Sequence, residues 1–122
     1  MSAPTTAQDA ALVALQVGDP HVEEMRLEYD RRRRLLVAGL NRLGLHTFEP
    51  RGAFYAFPDI QASGMSDEEF AEKLLREEHV AVVPGNAFGP GGEGFARMCY
   101  ATAYEKLEEA LHRMESFMNR YG

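Results

Sequence analysis

The apolar stripe that begins just after Pro20 constrains this chain more than any other feature. Val22, Met25, Tyr29, Leu36, Leu40 and Leu43 recur at three- and four-residue steps or their sum, the spacing of one face of an α-helix. Asp19 stands where an N-cap belongs, and Pro20 suits the first helical position. Glu23 and Glu24 fall near the positive end of the helix dipole, and Gly44 is a natural stop. A helix of about six turns on this pattern would run roughly 35 Å at 1.5 Å per residue. The chain has 122 residues, enough for one core and about two-thirds of its surface buried. So long a helix in so small a protein points to a helix that lies along something else. The run Arg31 to Arg34 interrupts the stripe and reads as a solvated face with Glu partners rather than an anion patch.

The remaining elements alternate in type. Thr5 and Gln8 have capping-box spacing before an Ala- and Leu-rich segment that Gly18 could close. Thr47 to Phe57 has strand character broken by Pro50-Arg51-Gly52, and Pro58 ends it. Ser66 and Glu69 form a second capping box, with Met65 and Phe70 placed for a hydrophobic staple and Phe70, Leu74 and Leu75 facing inward. Val80 to Val83 reads as a short buried strand, Pro84 to Gly94 as a glycine-rich loop, and Phe95 to Ala101 as a strand. Thr102 and Glu105 open a last helix whose apolar face is Leu107, Ala110, Leu111, Met114, Phe117, Met118 and Tyr121. The fold expected is α+β: a small mixed or antiparallel sheet of about three or four strands, helices on one face, and a long helix in front.

Composition excludes several classes. The net charge of −6 argues against nucleic acid as the main partner. No apolar run approaches the roughly 18 residues of a membrane span, and Met-Ser-Ala-Pro-Thr-Thr lacks a signal-peptide pattern. The lone Cys99 excludes an internal disulfide and fits a reducing, cytoplasmic setting. The histidines, His21, His46, His79 and His112, are scattered without metal-ligand spacing, so no metal is expected. Cys99 lies mid-strand without an activating base. The acidic runs Glu23-Glu24, Asp67 to Glu69 and Glu108-Glu109 read as solvated helix faces, as do the two lysines, Lys73 and Lys106.

Arg97 is the residue that composition does not explain. Alternation along Phe95-Ala96-Arg97-Met98-Cys99 puts it on one strand face with Phe95 and Cys99, among apolar neighbours. Two readings follow from spacing: an edge position in solvent or paired to a surface Glu, or a guanidinium set to grip a carboxylate through two parallel hydrogen bonds. Gly89-Pro90-Gly91-Gly92-Glu93-Gly94 formally matches a dinucleotide fingerprint. A strand follows where a helix is required, so the glycines serve a tight turn or close approach instead. Phe54, Tyr55 and Phe57 read as core, with Tyr55 and Phe57 on one face and Phe54 on the other; if both faces are apolar, one covers a neighbouring domain.

Four segments in order carry a resemblance: Ala3-Pro4-Thr5-Thr6-Ala7-Gln8, Gly52-Ala53-Phe54-Tyr55-Ala56-Phe57-Pro58, Val82-Val83-Pro84-Gly85-Asn86-Ala87-Phe88-Gly89 and Arg97-Met98-Cys99-Tyr100-Ala101. Together they resemble the C-terminal part of class I/II aminotransferases, pyridoxal-phosphate enzymes of fold type I. The resemblance implies that Arg97 binds the substrate α-carboxylate and that Phe54 approaches the substrate pocket, with the Pro84 to Gly89 loop facing the domain cleft. Cys99 stands where the family often has Ser. The family's Schiff-base lysine segment has no counterpart, since neither Lys73 nor Lys106 has its context.

The resemblance therefore implies residues 1–18 as a helical segment joining to a missing large cofactor-binding domain, and residues 19–122 as the small C-terminal domain. The parent would be a pyridoxal-phosphate aminotransferase, a cytoplasmic homodimer exchanging an amino group between an amino acid and a 2-oxo acid. This chain alone is expected to hold no cofactor and to be inactive. The competing expectations are a free-standing carboxylate-binding or assembly module and the tail of an aminotransferase-like transcription regulator.

Overall fold

A computed structural model describes residues 1–122. Four helices, α1 (Thr5–Val17), α2 (Asp19–Arg42), α3 (Asp67–Glu78) and α4 (Tyr104–Tyr121), accompany three short strands, β1 (Tyr55–Ala56), β2 (Val83–Pro84) and β3 (Ala96–Cys99). The sheet is antiparallel with β3 in the centre; Tyr55 pairs with Cys99, and Val83 pairs with Arg97. The expected α+β architecture and the long helix in front are both present.

The core lies on the inner face of the sheet. Ala96 and Met98 of β3 and Ala56 of β1 meet Leu36 and Leu40 of α2, Phe70 and Leu74 of α3, and Leu107, Leu111, Met114 and Phe117 of α4. α4 packs against both α2 and α3. The Phe70 and Phe117 rings meet edge to face with centroids 5.5 Å apart, the arrangement that the ring quadrupole favours. Gly39 sets how closely α2 and α4 approach, because a Cβ there would come within 2.5 Å of Leu111 Cδ1. Leu75, expected to face inward, is 52% exposed, as the α3 face against α4 is filled by Phe70 and Leu74.

Of the three expected capping boxes only the one at Ser66 supplies a side-chain cap, and it forms only the serine half. Ser66 Oγ accepts the Glu69 amide at 3.2 Å, satisfying an orphan donor of the first turn of α3. Pro4 and Ala103 precede α1 and α4 with no side-chain cap, and Thr5 and Thr102 do not serve. Asp19 does not cap α2 either. Gly18 keeps right-handed helical angles, accepts the Val22 amide at 3.0 Å and donates its own amide to Ala14 at 2.8 Å. Because Pro20 brings no amide of its own, α1 and α2 meet as two helices across one residue.

The strands are shorter than expected for a specific reason. Thr47 pairs its backbone with a side chain: the Asn41 amide accepts from Thr47 N at 2.9 Å and donates to Thr47 O at 3.1 Å. That segment therefore docks on the end of α2 instead of extending the sheet. Gly44, with φ of 81°, closes α2 as expected.

Candidate functional site

The outer face of the sheet carries no helix and presents an arginine between aromatic rings. The Arg97 guanidinium carbon lies 4.3 Å from the Tyr55 ring centre and 4.5 Å from that of Phe88. Both distances are within cation–π range. Behind them Phe57 stacks on Phe95, centroids 5.3 Å apart and planes 4° from parallel. The alternation read from the sequence places Phe95, Arg97 and Cys99 together, and β1 brings Tyr55 to them through its pairing with Cys99.

Arg97 has no acidic partner. The arginines of the Arg31 to Arg34 run all bond to Glu28, Asp30 or Glu49, and hydrogen bonds from Arg33 and Arg34 hold the Asp30 carboxyl below the usual carboxylate range. Arg76, Arg113 and Arg120 are likewise paired. Arg97 is half-buried, yet it makes no side-chain hydrogen bond or ion pair. Two aromatic rings lie against the guanidinium, and its N–H donors have no side-chain acceptor within the chain.

Phe54 lies just before β1, at a turn where Ala53 takes a φ of 58°. That left-handed geometry costs a non-glycine residue about 1–3 kcal/mol and persists only when surroundings impose it. Tyr100 imposes it here, its hydroxyl donating to Ala53 O at 3.0 Å and its amide to Phe54 O at 2.8 Å. Burial pushes the Tyr100 phenol pKa up. The turn rotates Phe54 toward Tyr55, centroids 4.7 Å apart, and toward Tyr29 of α2 at 6.0 Å. Alternation sets Phe54 and Tyr55 on opposite faces, and Phe54 reaches Tyr29 of α2 while Tyr55 reaches Arg97. Tyr29, Ala53 and Tyr100 also line a cleft of about 670 Å3 whose far wall is the exposed Val22 and Met25.

The glycine loop shows why Gly is required there. A Cβ on Gly85 would overlap the Gly92 carbonyl oxygen and lie 2.6 Å from that of Phe95. The close-approach reading holds, and β3 follows the loop where a nucleotide fold would need a helix. Asp67 was missed. It lies in an acidic run that reads as solvated, yet it is 6% exposed. Its carboxylate accepts the Asn86 amide at 3.0 Å and the Gly94 amide at 2.7 Å. No local pattern could have found partners so distant along the chain.

The residues present do not fit pyridoxal phosphate. Lys73 pairs with Glu69 at 2.9 Å and Lys106 with Glu109 at 3.1 Å, both on helices and neither among the groups around Arg97. No three His, Cys, Asp or Glu side chains come together as a metal site, and no helix is long and apolar enough to cross a membrane.

An α+β small domain whose open sheet face presents an arginine without an acidic partner has close relatives. Residues 1–114 match the family aminotransferase class I and II. An aspartate aminotransferase of Pyrococcus abyssi is 60% identical over 97 residues, 80% of this chain and 25% of that sequence. A Methanococcus jannaschii crystal structure, reported as similar in its active site to kynurenine aminotransferases, superposes with a TM-score of 0.89 at 42% identity, covering 97% of this chain and 31% of that one. Thermus thermophilus aspartate aminotransferase with maleate gives a TM-score of 0.79 at 42% identity, covering 87% of this chain and 27% of that one. The chain belongs to the class I and II aminotransferases, and its fold is that of the C-terminal small domain of fold type I. It spans between a quarter and a third of the length of these relatives.

Proposed function

We propose that this chain supplies the substrate-carboxylate arm of a pyridoxal-phosphate aminotransferase that moves an amino group between an amino acid and a 2-oxo acid. Arg97 binds the α-carboxylate and Phe54 walls the substrate pocket. One observation carries the reading: the Arg97 guanidinium stands on the uncovered sheet face against the Tyr55 and Phe88 rings, with no acid in the chain paired to it. A planar fork with free in-plane donors suits a carboxylate that binds through both oxygens.

The amino-transfer chemistry belongs to the cofactor, which residues outside this chain would hold. The exposed half of α2, together with α1, packs on a large cofactor-binding domain, residues 1–18 being the joining segment and residues 19–122 the small domain. The complete enzyme works as a cytoplasmic homodimer. Closing the two domains unites Arg97 with the reacting centre and excludes water. The 122-residue chain is inactive by itself.

The test uses maleate, the dicarboxylate bound by the Thermus relative. Titrated into the chain, it should shift the Arg97 side-chain N–H resonance saturably, and Arg97→Ala should weaken binding by at least about tenfold. A shift that spreads equally over the other arginines would defeat the reading. Incubated with pyridoxal phosphate and desalted, the chain should retain no cofactor absorbance and transaminate nothing; retained cofactor would overturn the proposed division of labour.

A further inference from the structure

We infer that Asp67 is a positioning residue for Arg97: by holding both ends of the glycine loop, it keeps Phe88 against the guanidinium. The inference rests on the reading of Arg97 as the carboxylate-binding arginine.

Asp67 is not spent on its own helix. Ser66 caps α3 through Glu69, and the Asp67 oxygens go instead to the amides of Asn86 and Gly94, 19 and 27 residues away. A buried carboxylate survives only when its oxygens are hydrogen-bonded, so the loop amides and the acid depend on each other. Beside those anchor points the backbones of Gly85 and Gly92 lie so close that a Cβ on either would overlap the other's carbonyl oxygen, and Gly89, between the anchors, turns with a φ of 109°. The loop is thus a tight double turn pinned at both ends.

Phe88 is the side chain that this loop carries to the site. It is 49% exposed, so the core does not hold it. Its ring meets Phe57 edge to face at 6.3 Å, and its centre lies 4.5 Å from the Arg97 guanidinium carbon. Tyr55 meets the same guanidinium from a paired strand, whose position the sheet secures. One wall of the arginine slot is therefore built on the sheet, and the other on a loop whose placement depends on Asp67. A guanidinium held by two fixed rings loses little freedom when a carboxylate arrives; with one ring free, that ordering must accompany binding.

Asp67→Asn keeps the shape but turns one acceptor into a donor facing an N–H. In that variant the Asn86 and Gly94 amides should exchange at least about tenfold faster. The Arg97 side-chain protons should lose the ring-current shift that Phe88 imposes, matching Phe88→Leu, and the double variant should shift them no further. The maleate dissociation constant should rise about three- to tenfold. Faster exchange with unmoved Arg97 resonances would reduce Asp67 to a loop staple and overturn the inference; so would Phe88→Leu leaving those resonances in place. Should Asp67→Asn not fold, Asp67→Glu displaces the carboxylate by one methylene without removing the charge, and the same comparison applies. A wild-type chain that ignores maleate defeats the carboxylate reading of Arg97, while the ring-current comparison still decides whether Asp67 positions the slot.

Discussion

The two halves of helix α2 carry one apolar rhythm and meet opposite fates. At its C-terminal end Leu36 and Leu40 are buried against α4. At its N-terminal end Val22, Met25 and Leu27 are all exposed, and so is every residue from Thr5 to Leu27 except Gly18. Leu15 stands 85% exposed while Phe117 has no exposed surface. Periodicity in a sequence declares which face is apolar, and it does not say what covers that face. Tertiary packing supplies most helix stability, and a helix as short as α1, 13 residues, is marginal alone in water. The N-terminal arm and the core are therefore two regimes of stability in one continuous chain.

The sharpest way to break the contrast is to hollow the core. Phe117→Ala should cost about 3–5 kcal/mol and unfold everything from Leu36 onward in a single urea transition. A smaller loss is expected from Gly85→Ala, whose methyl would strike the Gly92 and Phe95 carbonyls. About 1–3 kcal/mol should disappear from the same transition, with the Arg97 resonances displaced as the loop moves. Tyr100→Phe removes only the hydroxyl bond to Ala53; a drop of about 0.5–1.5 kcal/mol is expected, with Phe54 losing its contact shifts to Tyr29.

The arm should answer differently. Leu15→Ser should leave the urea midpoint within about 0.5 kcal/mol of the parent, yet reduce self-association in sedimentation runs, because large exposed apolar patches drive association. A large stability loss from Leu15→Ser would place the arm inside the cooperative unit and dissolve the comparison.

The pH response sharpens the core side. Burial raises the Tyr100 pKa in the folded state, so the folded protein holds that proton more firmly than the unfolded chain. Stability from this group is fully present below the ordinary tyrosine pKa and is lost as pH rises through the raised one. Phenolate absorbance should show one tyrosine titrating late, and Tyr100→Phe should remove that step.

Much of this organisation was legible in local pattern. The α4 stripe from Leu107 to Met118 packs as read, Ser66 caps α3, Gly44 ends α2, and Arg97 shares a strand face with Phe95 and Cys99. Each depends on neighbours within one turn or one strand, where spacing and side-chain chemistry suffice. The failures share the opposite character. Asp67 reads as solvated because its partners lie across the fold, and Thr47 reads as strand because its partner is a side chain on α2.

By itself, then, the sequence determined the main helices and strands, most of their apolar faces, the family, and that Arg97 stands among apolar neighbours on one strand face. Local propensity, periodicity and motif order are properties of neighbouring residues and survive without a fold. The tertiary structure alone decided which apolar face is buried, that Arg97 has aromatic walls and no acid beside it, and that an aspartate in α3 holds the loop behind one of those walls. Those are relations between residues far apart along the chain, and only closing the core brings them within a hydrogen bond or a ring diameter of one another.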